Sequence, residues 1–386
     1  MTSDDVVAAR ETLRDVIVPT PVLYSRVLSE LVGGPVYLKA ENLQRTGSFK
    51  IRGAYARIAR MSDAERAHGV VAASAGNHAQ GVALAASMLG TNATVVMPER
   101  APIPKVAATQ GYGARVILHG NTVEEALEEA LAVTARTGAI FIHPFDHPDI
   151  IAGQGTLGFE VIEQCPQVKT VLVPVGGGGL AAGVAVAVKS LDPGVRVVGV
   201  QAGEAAIRGR TTLADGIAVA RIGDIPAALL GVLADRMLEV SEEGLSRALL
   251  LCLERAKQVV EPAGAAAVGA LIERADEFEP PVVAVLSGGN IDPLLLSKLL
   301  RHGLTAAGRY LAFRCRLPDQ PGSLAALLRD VAGLGANVLE VSHERLGPEL
   351  LVDQVEVVLQ VETRGPDHCE AVKAGLRAAG YAMSFT

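Results

Sequence analysis

One lysine stands in a run of small, apolar and turn-forming residues near the start of the chain, TGSFKIRGA (46–54). Lys50 follows Phe49 directly in this run. A lone lysine is usually a solvated surface residue. It is also a candidate nucleophile, because partial burial keeps part of the amine deprotonated and therefore reactive. Other residues of the chain are needed to decide between a surface lysine and a nucleophile.

Three glycine-rich turns each follow a strand-like stretch, and they read SAGNHAQG (74–81), GGGGL (176–180) and SGGN (287–290). Without a Cβ, four consecutive glycines can present successive N–H groups to one anion at the start of a helix. The spacing departs both from GxGxxG followed by an acidic residue and from GxxxxGK[ST]. It therefore favours a small phosphate ester over a dinucleotide or ATP. A phosphate cradle with an isolated lysine indicates pyridoxal 5'-phosphate, whose aldehyde needs a lysine amine.

Short β-branched runs alternate with Ala- and Leu-rich stretches of helical length in the first three quarters of the chain. The predicted strands are 35–41, 69–74, 92–98, 113–120, 170–176, 195–201 and 281–289. The predicted helices between them include 78–90, 122–138 and 180–193. Several strands are apolar without alternation, as strands covered on both faces are. The alternation predicts an α/β fold with a mostly parallel, doubly wound sheet and ligands at the carboxyl ends of its strands.

The pattern changes after residue 305, where a strand–helix–strand–strand–helix–strand order begins. This order predicts a small α+β module. We therefore expect two domains, at 1–305 and 309–386, with 301–309 as the linker.

The bulk composition excludes several classes of protein. The net charge of −7 and the lack of a basic stretch argue against a nucleic-acid partner. The uncharged run 171–188 is as long as a membrane span, but Pro174 and four glycines interrupt it, so no membrane segment is expected. The four cysteines are far apart and form no CxxC motif, and the N-terminus is acidic where a signal peptide is basic. These features predict a cytoplasmic protein.

The segment KAENLQRTGSFKIRGA (39–54) resembles the serine/threonine dehydratase signature of the fold type II, or tryptophan-synthase-β-like, pyridoxal phosphate enzymes. The other two motifs follow in the expected order, so the resemblance covers residues 5–305 and is strongest to the threonine dehydratase (threonine ammonia-lyase) family. It implies a two-lobed catalytic domain of doubly wound parallel sheets, with a small lobe near 51–153. The implied reaction converts L-threonine to 2-oxobutanoate and ammonia, and L-serine to pyruvate. It would serve as the first step of isoleucine biosynthesis or in threonine catabolism.

The resemblance also implies roles for single residues. Lys50 would bind the cofactor and, once displaced, remove the substrate Cα proton. The substrate carboxylate would be held by Ser74, Ala75, Gly76 and His78. Ser287 would meet the pyridine nitrogen with a hydroxyl, which leaves the ring a weak electron sink and favours β-elimination. The full set of implied cofactor contacts is Phe49, Lys50, Asn77, Gly176, Gly177, Gly178, Gly179, Leu180, Gly216, Glu261 and Ser287. Turn chemistry is the alternative for Asn77, and a helix-start carboxylate is the alternative for Glu261.

Two departures separate this chain from the related serine racemases. Ala75 stands where a racemase has a serine, and a methyl group cannot carry a proton to the second face of Cα. Gln201 and Ile207 stand where carboxylates of a racemase-like metal site would be, although Glu204 is near, so no divalent metal is expected. Serine racemase, a serine-preferring dehydratase and an amino-acid-sensing pseudoenzyme stay open as alternatives. One methyl group in an apolar pocket changes specificity by only about 1–3 kcal/mol.

The stretch 317–345 resembles the first strand, turn, helix and second strand of an ACT domain, a ferredoxin-like fold. This resemblance implies an amino-acid effector, isoleucine or valine, bound between paired domains, and hence a homodimer or homotetramer. The effector would contact the turn residues Asp319, Gln320, Pro321 and Gly322, with Asn337 and Val338 from the paired domain. Oligomerisation without an effector is the alternative.

Overall fold

A computed structural model of the chain describes residues 1–203, 212–219, 221–345 and 350–385. The chain divides into two compact units, Met1–Leu296 and Ser297–Thr386. Two residues of the metal-site expectation, Glu204 and Ile207, lie outside the described residues.

The strands of the first unit belong to two sheets. In chain order they are β1 (Val22–Tyr24), β2 (Val36–Ala40), β3 (Val70–Ala73), β4 (Ala93–Met97), β5 (Arg115–Leu118), β6 (Ile140–Phe141), β7 (Thr170–Pro174), β8 (Arg196–Ala202), β9 (Arg236–Val240) and β10 (Val282–Leu286). One sheet has the order β1-β2-β10-β7-β8-β9 and the other has the order β5-β4-β3-β6. All neighbouring strands are parallel except β1 and β2. The structure thus confirms the predicted parallel sheets.

Most of the helices of the first unit lie between these strands in the chain, whereas the first helix precedes β1 and the last follows β10 and continues into the second unit. They are α1 (Ser3–Leu13), α2 (Arg26–Val32), α3 (Lys50–Ala59), α4 (Asp63–Ala67), α5 (Asn77–Met88), α6 (Ile103–Gly111), α7 (Val123–Thr137), α8 (Pro148–Gln164), α9 (Gly179–Leu191), α10 (Asp224–Leu233), α11 (Glu242–Leu251), α12 (Pro262–Glu273) and α13 (Pro293–Ala306). Short 3-10 turns add Glu41–Leu43, Arg45–Gly47, Asp215–Ile217 and Ala275–Glu277, and a π-turn adds Cys252–Ala256. Local signals set several ends: the Thr122 side chain caps α7, and Gly138, in the left-handed region, ends it.

Apolar residues bury both faces of the smaller sheet. On one face, α3 and α5 pack on β3 and β4, whereas α7 packs on the other face through Ala126, Ala130 and Val133. In the larger sheet, β7 and β10 are buried along their whole length, and α8 and α9 contribute to the same core. Because helices cover both faces, these strands carry the unbroken apolar runs on which the prediction depended.

The carboxyl ends of four strands lead into segments that line one cavity, and three of these segments are the motifs that the sequence singles out. β3 leads into 74–78, β6 into 142–147, β7 into 175–179 and β10 into 287–290. In parallel α/β sheets this edge is where ligands bind.

The second unit contains an antiparallel sheet with the order β12-β13-β11-β14. Its elements are β11 (Tyr310–Pro318), α14 (Ser323–Gly333), β12 (Asn337–Glu344), β13 (Gln354–Glu362), α15 (Pro366–Ala378) and β14 (Met383–Phe385). Alternate residues of β11 and β13 are buried against the two helices. The order of elements is the predicted one.

The first part of the expected linker 301–309 is helical, because α13 continues to Ala306. The sequence PLLLSKLLRHGLTA is rich in good helix formers, which favour a helix over an extended connection. Gly308, with φ of 63°, follows the end of the helix.

The uncharged run 171–188 is divided between β7 and α9. Among the helices of the described residues, none combines the length and the apolar character needed to cross a bilayer.

Candidate active site

A cavity of about 730 Å³ lies where the carboxyl ends of the two parallel sheets face each other. Every residue that the sequence assigned to catalysis, cofactor or substrate lines this cavity: Phe49, Lys50, Ser74, Ala75, Gly76, Asn77, His78, Gly176, Gly177, Gly178, Gly179, Leu180, Gly216, Glu261 and Ser287. The structure therefore brings together groups that are more than 230 positions apart in the chain.

Lys50 is the first residue of α3, and the turn before it is held from the larger sheet. Thr46 has φ of 63°, an unfavourable value for a β-branched residue. The Asn290 side chain donates to the Thr46 carbonyl at 2.6 Å and stabilises this turn. The Phe49 N–H donates to the Ser287 carbonyl at 3.2 Å. These contacts fix the position from which the Lys50 side chain enters the cavity.

The Lys50 amine has no carboxylate within ion-pair distance among the described residues. Its Nζ donates to the Pro144 carbonyl at 2.9 Å and lies 5.1 Å from the centroid of the Phe49 ring. Burial lowers the pKa of Lys50 to about 8, and the more distant charge of Glu261 opposes this shift. A substantial fraction of the amine is therefore neutral near physiological pH, as a nucleophile or base requires.

A chain of side-chain hydrogen bonds joins the loops after β3 and β10 to the start of α12. Asn290 Nδ2 donates to Asn77 Oδ1 at 2.8 Å, and Asn77 Nδ2 donates to Glu261 Oε1. Burial raises the pKa of Glu261 to about 7, with a further contribution from the Asp215 charge. The Asn77 amide is therefore held in one orientation beside the cavity.

The loop 74–78 follows β3 and begins α5. The Ser74 hydroxyl accepts from the Gly76 N–H at 3.2 Å, which tightens the loop. His78 Nε2 donates to the Ile142 carbonyl at 2.8 Å, and burial lowers the pKa of His78 to about 3. His78 is therefore neutral, and the positive end of α5 supplies the local charge for an anion.

The glycine loop after β7 ends at the N-terminus of α9. Gly178 has φ of 88° and serves as the N-cap. A Cβ on Gly177 would lie 2.2 Å from the Phe145 ring, so the close approach of that ring requires glycine. Among the described residues, no turn or loop hydrogen bond uses the N–H groups of Gly176–Gly179. These N–H groups, with the helix terminus, form an anion cradle in the cavity wall.

A cluster of buried charges lies beneath α3, away from the cavity. Arg52 pairs with Glu41 at 2.8 Å and with Glu160 at 2.6 Å, and Lys39 pairs with Glu160 at 2.6 Å. Arg52, Lys39 and Glu41 have no solvent exposure. Because every charge has an opposite partner, the cluster ties β2, α3 and α8 together.

The chain is similar to proteins of known family over most of its length. A family model described as "Pyridoxal-phosphate dependent enzyme" matches residues 13–288. The chain belongs to this family. An L-threonine ammonia-lyase of Thermotoga maritima is 48% identical to it over 99% of this chain and 98% of that protein.

Two further relatives of this pyridoxal-phosphate dependent enzyme match about three quarters of the chain. The catabolic L-threonine dehydratase of Escherichia coli strain K12 is 43% identical over 77% of this chain and 95% of its own length. The crystal structure of a T.th. threonine deaminase superposes with a TM-score of 0.71 at 42% identity, covering 76% of this chain and 99% of that one.

The residues of the cavity fit the cofactor of the family. A phosphate needs several N–H donors, and the loop 176–179 supplies them. An aldehyde needs a neutral amine, and Lys50 supplies it. The Ser287 side chain is 4% exposed, and its hydroxyl has no hydrogen-bond partner among the described residues. The Ser287 hydroxyl lines the cavity, where it is available to a ligand atom.

Several cavity residues carried no sequence signal. His143, Pro144 and Phe145 follow a strand of two residues, too short to be predicted. Lys105 on α6 donates to Asp215 at 3.3 Å, joining the two sides of the cavity, yet neither residue belongs to a motif. Only the topology brings them to the site.

The implied effector residues lie in the second unit. Asp319, Gln320 and Gly322 form an exposed turn between β11 and α14, with Gly322 at φ of 98° as the N-cap. Asn337 is exposed and Val338 is half-buried at the start of β12. Asn337 Nδ2 donates to Glu362 at 3.4 Å.

Proposed function

We propose that this chain is a threonine ammonia-lyase, which converts L-threonine to 2-oxobutanoate and ammonia and, as a second reaction, L-serine to pyruvate. The observation that carries this proposal is the Lys50 amine, which has a pKa of about 8, no carboxylate partner among the described residues and a place in one cavity with a free anion cradle. The L-threonine ammonia-lyase that matches the chain over nearly its whole length supports the choice of substrate.

In this proposal the chain holds the cofactor at three points. The N–H groups of Gly176–Gly179 and of Leu180 bind the phosphate, and the Ser287 hydroxyl meets the pyridine nitrogen. Phe49 and Gly216 line the ring, and Asn77, oriented by Glu261, meets the ring hydroxyl. When bound, pyridoxal phosphate supplies an aldehyde that joins the substrate amino group and withdraws electrons from its Cα.

The remaining steps belong to side chains and backbone groups of the chain. Ser74, Ala75, Gly76 and His78, at the positive end of α5, bind the substrate carboxylate and so orient the Cα–H bond. Lys50 Nζ, whose lowered pKa leaves part of the amine neutral, receives the Cα proton. The Cα proton and the β-hydroxyl are together lost as one water, and hydrolysis of the released enamine by a second water gives the 2-oxo acid and ammonia.

Dehydration is favoured over racemisation in this proposal. Ala75 has no group that can carry a proton on the face of Cα opposite Lys50. L-threonine and L-serine differ by one methyl group, which gives modest discrimination, so both are substrates here.

We further propose that 309–386 is an ACT-like regulatory domain of an oligomeric enzyme whose catalytic domain is 1–305. The β-α-β-β-α-β order and antiparallel sheet of the second unit support this assignment. Asp319, Gln320, Gly322, Asn337 and Val338 would contact isoleucine or valine. The Thermotoga maritima relative covers 99% of this chain, whereas the Escherichia coli dehydratase covers 77% of it with 95% of its own length, which supports a unit that is separable from the reaction.

A cytoplasmic location in amino-acid metabolism completes the proposal. All four cysteines, Cys165, Cys252, Cys315 and Cys369, are buried free thiols, which supports a reducing compartment. The enzyme would act at the start of isoleucine biosynthesis or in threonine catabolism.

Purified protein loaded with pyridoxal phosphate tests the activity directly. We expect L-threonine to give 2-oxobutanoate and ammonia in equal amounts, L-serine to give pyruvate, and D-threonine to give no product. Chiral chromatography of the L-serine reaction should show no D-serine. A cofactor-loaded protein that is inert toward both L-amino acids overturns the assignment, and D-serine formation would move it to a racemase.

A further inference from the structure

His143 is a cavity residue that no motif singles out and that the proposed reaction leaves without a role. It lies on the short segment after β6, between two residues that contact the site. On one side, the Ile142 carbonyl accepts from His78, and on the other the Pro144 carbonyl accepts from Lys50. The imidazole is therefore next to both the base and the carboxylate-binding loop.

The hydrogen bonds of the ring settle its tautomer. His143 Nδ1 accepts from the Asp146 N–H at 2.8 Å and from the Phe145 N–H at 3.3 Å. A nitrogen that accepts two backbone N–H groups carries no proton, so the proton of the neutral ring is on Nε2. Both bonds close a tight turn, which fixes the plane of the ring as well.

Nε2–H is left free to donate. Among the described residues it has no hydrogen-bond partner, and it is not sealed inside the protein, since His143 is half-buried and lines the cavity. The titratable groups around the ring are Lys50, His78, Asp146 and His147. None of these uses Nε2 as a partner.

We propose that His143 is a further substrate-contacting residue, whose Nε2–H donates a hydrogen bond to the β-hydroxyl oxygen of the hydroxy amino acid. This inference rests on the proposed function. In that function the carboxylate, the amino group and the Cα proton have partners, and the hydroxyl has none on the chain. A donor at this oxygen holds the carbon–oxygen bond in place and stabilises the negative charge that builds up as the bond breaks.

The hydrogen bond is donated without transfer of the proton. Burial lowers the pKa of His143, and protonation of Nδ1 would oppose two N–H donors. The ring is therefore neutral across the working pH range, and a neutral imidazole keeps its Nε2 proton. His143 acts as a fixed dipole at the hydroxyl oxygen rather than as an acid.

Two substitutions separate the donor from the turn. Asn places an oxygen near the position of Nδ1 and keeps the acceptor for the Asp146 N–H, but it does not reach the position of Nε2. Gln reaches the position of Nε2 with an amide donor and loses the acceptor. We expect His143→Asn to lower kcat/KM for L-threonine by about 100-fold and His143→Gln to recover most of that loss. The exposed His119→Asn is the matched control and should match the wild type.

A binding measurement distinguishes the hydroxyl from the carboxylate. L-2-aminobutyrate has the carbon skeleton of L-threonine without the hydroxyl, and its binding is followed by the change in visible absorbance of the loaded protein. We expect its Kd to be unchanged in His143→Asn. A Kd that rises along with the loss of kcat/KM would overturn the hydroxyl assignment in favour of the carboxylate.

The relative activities of the two variants distinguish a hydrogen-bond donor from a structural role for His143. If His143→Asn is active and His143→Gln is not, the turn rather than the donor matters, and the proposal is wrong. It is also wrong if both variants match an active wild type. An inactive wild type that still binds L-2-aminobutyrate would instead contradict the proposed function.

Discussion

Lys39 and Lys50 are eleven positions apart, and Lys39 is fully buried whereas Lys50 is half-buried in the cavity wall. Lys39 Nζ lies 2.6 Å from Glu160 and also donates to the Thr20 carbonyl at 2.6 Å. Lys50 has a carbonyl and an aromatic ring as neighbours, with its one influential carboxylate, Glu261, farther away. Desolvation lowers the pKa of both lysines, but the carboxylate partners of Lys39 oppose the shift more directly.

This difference separates a structural charge from a reactive one. A buried ammonium group with a carboxylate at hydrogen-bond distance is held in the charged state and joins elements together. An enclosed amine without such a partner gives up its proton and can react. The two lysines lie in one signature segment, so burial alone does not identify the nucleophile. The presence or absence of a carboxylate partner identifies it.

Replacing each lysine with methionine should give opposite results, and this is the largest expected effect. Lys50→Met should lower the rate of 2-oxo acid formation by at least about 10⁴-fold, the upper range for a proton-transfer group. Its free energy of unfolding, measured in urea, should stay within about 1 kcal/mol of the wild type. Lys39→Met should lower that free energy by about 3 kcal/mol, since it breaks a buried pair, while the folded fraction stays active.

The comparison fails if Lys50→Met keeps more than about one-hundredth of the activity. It also fails if Lys39→Met loses activity without loss of stability, because the cluster beneath α3 would then take part in the chemistry.

Arg52 and Arg26 each pair with a glutamate, but the first pair is buried and the second is exposed. Arg52→Met should lower the free energy of unfolding by about 3–5 kcal/mol, because Glu41 and Glu160 both lose a partner. Arg26 pairs with Glu30 at 2.8 Å with both side chains more than half exposed. Arg26→Met should therefore cost about 0–1 kcal/mol. Equal losses in urea unfolding would show that the buried cluster contributes no more than a surface pair.

Glu261 should give cofactor-free protein a pH-dependent stability. Its pKa is raised from 4.5 to about 7, so its contribution is fully present below the lower value and is lost as the pH rises through the higher one. Relative to Glu261→Gln, the wild type should lose about 3 kcal/mol of unfolding free energy between about pH 4 and about pH 8. A flat difference for Glu261→Gln would contradict the raised pKa.

Much of the fold followed from patterns along the chain. Strands such as β7 and β10, buried on both faces, carry continuous apolar runs, and their helices carry ordinary caps. The helical state of most of 301–309 was not anticipated, since a glycine-containing stretch there continues an amphipathic helix. The division into two sheets depends on which strands pair, and this is a long-range property that no local pattern expresses.

The residues of the site also divide into those that the sequence predicted and those that it did not. Lys50, Asn77 and the glycine loop belong to continuous motifs, and all of them line the cavity. His143, Lys105 and Asp215 reach it only because the topology folds their segments over the carboxyl ends of the strands. The tautomer of His143 depends on two backbone N–H groups in a turn, and no sequence pattern specifies it.

The smallest expected effect concerns the influence of the Glu261 charge on the pKa of Lys50. The charge of Glu261 raises the pKa of Lys50 from the side of the cavity, so Glu261→Gln should lower that pKa from about 8. At a given pH, a lower pKa leaves a larger fraction of the Lys50 amine neutral in Glu261→Gln than in the wild type. The cofactor should therefore bind to the variant faster. After mixing with pyridoxal phosphate, the rate at which visible absorbance appears is measured at a series of pH values. The midpoint of this rate against pH reports the pKa of Lys50. An unchanged or higher midpoint would show that the Glu261 charge does not raise the pKa of Lys50, whereas Glu160 lies at hydrogen-bond distance from Lys39 and raises its pKa.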